Sequence, residues 1–282
     1  MSVTTMRTVD LPSKETIPVL GMGTWHLGDG RHPADVEIAA LRTGLDLGMT
    51  LIDTAEMYGS GVSERLVGRA IAGRRDDVFL VSKVLPQHAT FDGTIAACVA
   101  SLKRLDTDYL DLYLLHWRGS VPLATTVRAF RELQRTGLIR HWGVSNFDTA
   151  DLIELVALPG GDTVATDQVL YNLSRRGIEF HLLPWCQRRE LPIMAYSPIE
   201  QGRLLGHPAL QRIAARHRVT SAQVALAWVV RHRGVCAIPE AGTPQHVREN
   251  AGSLQVLLTQ DDMIELDASF PPPTRAAPLE LL

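Results

Sequence analysis

The chain alternates short apolar runs with longer segments in which apolar residues recur three and four positions apart. Apolar runs of strand length occupy residues 19–22, 50–52, 78–84, 109–115, 139–144, 164–168, 192–196 and 235–238. Segments with helical spacing occupy residues 33–47, 63–72, 91–105, 121–136, 149–155, 208–217, 221–233 and 260–268. Because the first pattern is typical of buried strands and the second of amphipathic helices, the sequence predicts eight strands that alternate with helices.

Eight strand-and-helix repeats predict a parallel α/β sheet closed into a (β/α)8 TIM barrel, a single domain over residues 1–282. The length of 282 residues agrees with this fold, because such barrels use about 250 residues. The alternative is an open, doubly wound sheet, whose dinucleotide signature GxGxxG follows the first strand. Residues 21–26 read GMGTWH, and His26 stands where that signature needs its last glycine.

Composition and charge argue against several function classes. The net charge is −3, and the chain has no long run of Lys or Arg that would attract nucleic acid or an anionic membrane. The three cysteines, Cys98, Cys186 and Cys236, form no CxxC pair, so we expect neither a metal site nor a disulfide. Charged residues interrupt the first twenty positions, which argues against a secretory signal and for a cytoplasmic location. We expect a monomer that acts on a small molecule.

Four polar residues stand at or near the carboxyl ends of three consecutive predicted strands. Asp53 follows the second strand, Tyr58 lies in the loop after it, Lys83 is near the end of the third, and His116 closes the fourth. Each alone has an ordinary structural explanation, such as a turn or helix cap for Asp53. Because strand ends converge at one mouth of a barrel, we expect the four to be neighbours.

Together these side chains predict a site that gives a proton to a carbonyl oxygen, or takes one from an alcohol. A phenol has a pKa near ~10, and a neighbouring ammonium lowers it, so Lys83 is expected to lower the pKa of Tyr58. Asp53 would keep the buried Lys83 charged. His116 would orient a substrate oxygen or share the proton with Tyr58.

Seven segments of the chain resemble the aldo-keto reductase family and follow the order of its motifs. They are GMGTW at 21–25, LIDTAEMYGSG at 51–61, VSKV at 81–84, DYLDLYLLHW at 108–117, GVSNF at 143–147, YSP at 196–198 and IPEAGTPQHVREN at 238–250. The chain is most similar to compact bacterial members that reduce methylglyoxal and other small aldehydes. The resemblance implies an NAD(P)H-dependent carbonyl reductase in which Tyr58 is the general acid, Lys83 and Asp53 adjust it, and His116 places the carbonyl.

The resemblance also implies the residues that bind the cofactor. Ser145, Asn146 and Gln168 are expected near the carboxamide of the nicotinamide, and the Tyr196 ring is expected to stack on it. Gly23 and Thr24 belong to the first loop that lines the cofactor, and Asp53 is also expected to contact it. Those at the pyrophosphate are Ser197, Gln201 and Gly202. Those at the adenosine end are Ile238, Glu240, Thr243, His246, Glu249 and Asn250. Substrate contacts are expected from Trp25, Tyr58, His116 and Trp117, and the short segment after Pro271 implies a wide pocket.

The adenosine end departs from the family pattern and leaves the choice between NADP and NAD open. Members that prefer NADP place Lys where Glu240 stands and Arg where His246 stands, because cations are needed beside the 2′-phosphate. A carboxylate would repel that phosphate and accept hydrogen bonds from the ribose hydroxyls of NAD. Thr243, Arg248 and a helix start after Pro244 could still hold a phosphate. This interpretation predicts that Glu240→Lys raises the preference for NADPH.

Two other functions remain open from the sequence alone. Some chains of this family type serve as cofactor-binding regulatory or sensor subunits with slow turnover, which the four polar residues permit. A barrel of the phosphosugar isomerase class would instead need a glycine-rich phosphate grip after the seventh and eighth strands. The segments found there, YSPIEQG and IPEAGTP, match that need weakly.

Overall fold

The structure is a computed structural model that describes residues 6–282. An antiparallel hairpin precedes the barrel, in which β1 (Thr8–Asp10) pairs with β2 (Thr16–Pro18). Glu15 in this hairpin accepts hydrogen bonds from Arg140 and contacts His141, at the start of a barrel strand. The hairpin therefore covers the amino-terminal end of the barrel, opposite the end where the predicted chemistry lies.

Eight parallel strands form one sheet in which each strand pairs with the next along the chain. They are β3 (Met22–Gly23), β4 (Leu51–Asp53), β5 (Phe79–Val84), β6 (Leu110–Leu115), β7 (Ile139–Ser145), β8 (Asp167–Leu170), β9 (Ile193–Tyr196) and β10 (Val235–Ala237). The first and last strands meet through parallel bridges from Leu20 to Ala237 and from Gly23 to Glu240, which close the barrel. The predicted (β/α)8 fold is confirmed, and every predicted strand has a counterpart.

Helices pack around the outside of the strands. They are α1 (Ala34–Asp46), α2 (Val62–Ile71), α3 (Phe91–Leu105), α4 (Leu123–Arg135), α5 (Thr149–Ala157), α6 (Leu182–Arg188), α7 (Pro208–His217), α8 (Ser221–Val229), α9 (Pro244–Gly252) and α10 (Gln260–Ser269). The sequence predicted all of these helices except α6 and α9. Helix α6 has only seven residues, and for α9 only a helix start after Pro244 was expected. None of the helices within residues 6–282 is long and apolar enough to cross a membrane.

The barrel core explains why the strands read as continuous apolar runs. All six residues of β5 and all six of β6 are buried, because parallel strands are covered on both faces. Gly23 is required at the closing seam, where a Cβ would lie 2.7 Å from the Ile238 carbonyl oxygen. The backbones of β3 and of the segment after β10 therefore approach closely, and the loops that follow them face each other above the barrel.

Candidate active site

A cleft of about 690 Å³ opens at the carboxyl ends of the strands. Three of the four polar residues predicted to cluster, Asp53, Tyr58 and His116, line it, and Lys83 lies directly behind them. The cleft also receives the loop after β3, the loop after β9, the loop after β10 and one face of α9. A volume of this size is ordinary for a small-molecule or cofactor site.

Lys83 and Asp53 form a buried ion pair beneath the cleft. The Lys83 Nζ lies 2.6 Å from Asp53 Oδ2, and the side chains are 0% and 2% exposed. Nζ also donates to the Thr54 carbonyl oxygen at 2.9 Å and to the Tyr58 hydroxyl oxygen at 3.0 Å. All three protons of the ammonium are therefore used. Because Lys83 donates to the phenol oxygen, the proton of Tyr58 itself remains free for a group in the cleft.

The pKa of Tyr58 is raised from its ordinary value, because burial disfavours the phenolate more strongly than Lys83 stabilises it. The expectation that Lys83 lowers this pKa is therefore wrong in its net direction, although the ammonium does oppose the rise. Burial likewise raises the pKa of Asp53, with Lys83 opposing. The pKa of Lys83 is also raised: burial lowers it, but Asp53 and Tyr58 together more than offset that effect. The phenol is thus protonated at neutral pH and stands beside a fixed positive charge.

His116 is neutral in this environment. Burial and the nearby Lys83 lower the pKa of its imidazole to about 2. The His116 ring meets the Tyr58 ring edge-on, with centroids 5.9 Å apart. A neutral imidazole donates one hydrogen bond from its N–H nitrogen and accepts one at the other nitrogen, but it has no second proton to give at neutral pH. The geometry therefore favours orientation of a substrate oxygen over proton sharing with Tyr58.

A hydrogen-bonded layer extends from this cluster along β7, β8 and β9. Gln168 donates from Nε2 to Asp53 Oδ1 at 2.7 Å, so both oxygens of that carboxylate are engaged. Asn146 donates to the His116 carbonyl oxygen at 3.1 Å and accepts from the Tyr196 hydroxyl at 2.9 Å. Four of the residues expected at the nicotinamide are therefore present together, namely Ser145, Asn146, Gln168 and Tyr196.

The loop after β9 forms the next part of the cleft wall. Its residues Ser197, Gln201 and Gly202 all line the cleft, as expected from the resemblance. Ser197 and Gln201 have φ values of 48° and 54°, in the left-handed region that costs a residue with a side chain some strain. The Ser197 Oγ is buried and has no hydrogen-bond partner among the described residues. A polar atom left in that state fits a ligand group that is bound from the cleft.

Most of the residues expected at the adenosine end line the cleft, namely Ile238, Glu240, His246, Glu249 and Asn250. Gly23 and Thr24 of the first loop line it as well. Thr243 does not line the cleft, because it caps α9, where its side chain accepts from the His246 amide. The Thr24 side chain is also occupied, since it donates to the Asp53 carbonyl oxygen at 2.9 Å. Thr24 thus contributes its backbone to the cleft wall.

Apolar and aromatic side chains also line the cleft into which Tyr58 opens. Trp25, Met57 and Trp117 line the cleft, and Trp25 and Met57 are among the most exposed large apolar residues. The chain terminus also lines it, through Leu282. The segment after Pro271 therefore reaches the cleft despite its shortness, although that shortness predicted a wide pocket.

Sequence reasoning missed several further residues of the cleft wall. They are His26, Leu27, Arg31, His32, Glu37, Pro198, Ile199, Leu205, Ala222, Ala241, Gly242 and Leu282. The loop residues between β3 and α1 are the most consequential of these. They carry no motif, and only their proximity in sequence to Gly23 and Trp25 would have pointed to them.

Comparison with known proteins identifies relatives over nearly the full chain. The sequence profile described as "Aldo/keto reductase family" matches residues 19–270. Methylglyoxal reductase YeaE of Escherichia coli strain K12 is 51% identical over 272 residues, which are 95% of this chain and 96% of that protein. Glyoxal reductase of Bacillus subtilis strain 168 is 34% identical over 272 residues, 93% of this chain and 92% of that protein.

A solved structure shows the same architecture. The aldo/keto reductase of Klebsiella pneumoniae, determined in complex with NADP and acetate, superposes with a TM-score of 0.95. Its sequence is 48% identical, and the match covers 98% of this chain and 100% of that one. Neither the relatives nor this structure supports the regulatory-subunit alternative or the isomerase alternative, because all are described as reductases.

Proposed function

Because this chain belongs to the aldo/keto reductase family, we propose that it reduces methylglyoxal and similar small aldehydes or ketones to alcohols, with NADPH or NADH as the reductant. The observation that carries the proposal is the Tyr58 hydroxyl, which faces the cleft while its oxygen accepts from Lys83 Nζ at 3.0 Å. The names of the relatives support the substrate class, and the bound NADP of the Klebsiella structure supports the cofactor.

The residues of the cleft fit a nicotinamide dinucleotide. The unpartnered Ser197 Oγ lies in the wall of the cleft, and the Tyr196 ring offers a flat aromatic face beside it. When bound, the cofactor supplies a hydride to the carbonyl carbon of the substrate. In our proposal, Ser145, Asn146, Gln168 and Tyr196 hold the nicotinamide, and the loops after β9 and β10 hold the rest.

Tyr58 is the general acid in this proposal. As the carbonyl oxygen gains negative charge, Tyr58 transfers its proton to that oxygen and becomes a phenolate. Lys83 stabilises the phenolate through the existing 3.0 Å contact, so no reorganisation is needed when the charge develops. Asp53 keeps the ammonium charged, and solvent returns a proton to Tyr58 after the alcohol leaves. In the reverse direction, Tyr58 would accept the proton of an alcohol.

His116 positions the substrate by donating one N–H to the carbonyl oxygen. Its low pKa keeps the ring neutral across the physiological range, so the bond persists while Tyr58 gives up its proton. Trp25, Met57 and Trp117 form an apolar wall that admits a small aldehyde and reduces the water around the reacting atoms. Because this wall is mainly apolar, it supports activity on a range of small carbonyl compounds.

The test is consumption of NADPH and of NADH, measured in parallel by loss of reduced-nicotinamide absorbance with methylglyoxal as substrate. Tyr58→Phe should lower kcat about 10²- to 10⁴-fold, the usual value of a positioned proton donor. Cofactor binding, measured by fluorescence, should remain. Tyr109→Phe is the matched control: it also removes one phenolic hydroxyl, outside the cleft, and should leave kcat unchanged. Full activity of Tyr58→Phe would refute the assignment.

A further inference from the structure

We propose that Arg31, in the loop between β3 and α1, is the cation that binds a phosphate group of the cofactor, and that Glu240 holds this loop in place for it. The inference rests on the proposed use of a nicotinamide dinucleotide. It assigns to Glu240 the opposite role from the one its sequence position suggests. The carboxylate acts as a tether for a cation supplied by another loop, rather than as a charge that rejects a phosphate.

The charge of the cleft wall leads to Arg31. Among the described residues that line the cleft, Arg31 is the only Lys or Arg. Four carboxylates, those of Glu37, Asp53, Glu240 and Glu249, line it as well. A dinucleotide carries at least two negative charges on its pyrophosphate, and a 2′-phosphate adds about one and a half to two more at neutral pH. Binding such a polyanion without a cation would be unfavourable, so the single guanidinium is the group best suited to receive it.

Two carboxylates hold the loop that carries Arg31. Glu240 Oε2 accepts from the His26 amide at 3.1 Å, a contact between residues 214 positions apart. Glu37 Oε2 accepts from the Gly28 amide at 2.9 Å. Both hydrogen bonds are donated by backbone amides of the loop, so they fix the path of its backbone independently of the conformations of its side chains. Arg31 therefore projects from a loop that is fastened to the loop after β10 and to α1.

The charge of Glu240 is compensated locally. Burial raises the pKa of Glu240, while the nearby His26 and Arg31 oppose that rise by stabilising the carboxylate. The nearby Asp29 carboxylate raises the pKa of Glu240 further, but by less than any of these effects. A carboxylate that already accepts a hydrogen bond from the His26 amide, with positive charge nearby, repels a phosphate less than an isolated carboxylate would. Its negative charge instead keeps Arg31 near the cleft.

The guanidinium of Arg31 retains donors for a ligand. Its Nε pairs with Asp29 Oδ2 at 2.9 Å, and its Nη2 lies 3.1 Å from His26 Nδ1. Nη1 has no hydrogen-bond partner among the described residues, and the side chain is 58% exposed. Asp29 and His26 thus engage Nε and Nη2, and Nη1 is left to donate to a ligand. A phosphate oxygen can accept a charge-assisted hydrogen bond from it.

His32 places this cation at the adenosine end of the cleft. The His32 ring packs against Gly242, where an added Cβ would lie 2.4 Å from the ring. Gly242 is two residues after Glu240 and two before α9, and His246 of α9 lines the same part of the cleft. The loop that carries Arg31 therefore lies against the segment between β10 and α9. The ribose phosphate of NADPH and the pyrophosphate share the same chemistry, and the experiment below separates them.

The test is the dissociation constant of each reduced cofactor, measured by fluorescence titration of the full chain. Arg31→Ala should weaken NADPH binding about 10- to 100-fold, the usual effect of losing one charge-assisted hydrogen bond. A loss confined to NADPH assigns Arg31 to the 2′-phosphate, and an equal loss with NADH assigns it to the pyrophosphate. In both cases the loss should shrink at high salt, because Arg31 is exposed.

Arg65→Ala is the matched control, because Arg65 is an exposed arginine on α2 outside the cleft. It removes the same charge and should leave both dissociation constants within twofold. If Arg31→Ala also leaves them within twofold, or if Arg65→Ala weakens binding as much, the inference is overturned. If the unmodified protein binds neither cofactor, the proposed function fails, which is a different result.

Glu240→Lys gives a second, independent arm. The sequence pattern predicts that this change improves the NADPH preference, because it installs the lysine found in NADP-preferring members. If Glu240 instead holds the loop of Arg31 in place, Glu240→Lys should weaken NADPH binding. The His26 amide would lose its acceptor, and the new ammonium would repel Arg31. Combining Glu240→Lys with Arg31→Ala should then add little further loss of NADPH affinity, because both changes disable the same cation. Improved NADPH binding by Glu240→Lys alone would contradict the tether.

Discussion

The two ends of the cleft are built in different ways. At the catalytic end, Lys83 and Asp53 are 0% and 2% exposed, and every proton of the ammonium is donated to a protein oxygen. At the adenosine end, Arg31 is 58% exposed and stands on a loop held by single hydrogen bonds. The catalytic charges belong to the folded core, whereas the cofactor-facing charge belongs to the surface. We therefore expect substitutions at the first end to change stability as well as rate, and those at the second to change mainly affinity.

The largest expected effect on stability is that of Lys83→Met. This change leaves the buried Asp53 carboxylate without its partner, which costs about 3–5 kcal/mol of unfolding free energy. Urea unfolding of the free protein measures it. Lys103→Met, on the exposed face of α3, is the matched control and should stay within about 0.5 kcal/mol.

The double variant Asp53→Asn with Lys83→Met tests why Lys83→Met lowers the free energy of unfolding. If the unpaired carboxylate is responsible, neutralising residue 53 should restore much of the lost stability. Equal instability of the single and the double variant would mean that Lys83 contributes by packing alone, and the contrast between the two ends would lose its electrostatic basis.

Asn146→Ala should cost about 1–3 kcal/mol, because it removes the donor to the His116 carbonyl and the acceptor of the Tyr196 hydroxyl. Asn146 also has a φ of 60°, a conformation that alanine disfavours. Asn146→Gly removes the same bonds without that conformational cost. The difference between the two variants in thermal or urea unfolding separates strain from hydrogen bonding. No loss in either would show that this layer is not held together as the distances indicate.

His116 should make stability depend on pH. Its pKa falls from an ordinary value of 6.5 to about 2 in the folded protein. Below pH 6.5 the unfolded chain therefore binds a proton that the folded chain does not, so stability falls as the pH falls. The slope from this one group is about 1.4 kcal/mol per pH unit. His116→Asn should flatten the stability curve between about pH 6 and 4; an unchanged slope would contradict the neutral imidazole.

The smallest expected effect on stability is that of Glu240→Ala, at about 0.5–1 kcal/mol. It removes one hydrogen bond to the His26 amide at a partly exposed site. Its main consequence should be weaker cofactor binding, since the loop that carries Arg31 is released. A stability loss as large as that of Lys83→Met would mean that the adenosine end is part of the core, and the distinction drawn above would fail.

The sequence predicted the features of the fold and of the site that follow from the local spacing of apolar residues. Strand and helix spacing identified the eight strands, and barrel geometry then brought Asp53, Tyr58, Lys83 and His116 together, because strand ends must converge. The β1–β2 hairpin was missed, because each strand has only three residues and mixes polar with apolar ones. Helix α6 was missed because it is short and contains a proline.

What the sequence did not predict depends on burial and on contacts between distant segments. The net direction of the Tyr58 pKa follows from how completely the ring is enclosed, which no local pattern records. Family members that prefer NADP have Lys at the position of Glu240, so the sequence suggested that Glu240 repels the 2′-phosphate of NADP. Its contact with the His26 amide depends on two loops that meet only when the barrel closes.

The central claim is that Tyr58 stays protonated until it transfers its proton to the carbonyl oxygen, and that Lys83 then stabilises the resulting phenolate. The most direct test is an ultraviolet titration of tyrosinate in the free protein, taken as the difference between the unmodified chain and Tyr58→Phe. The account predicts no ionisation of residue 58 below about pH 10, the ordinary value for a phenol. An ionisation near pH 7 to 8 that disappears in Tyr58→Phe would contradict it.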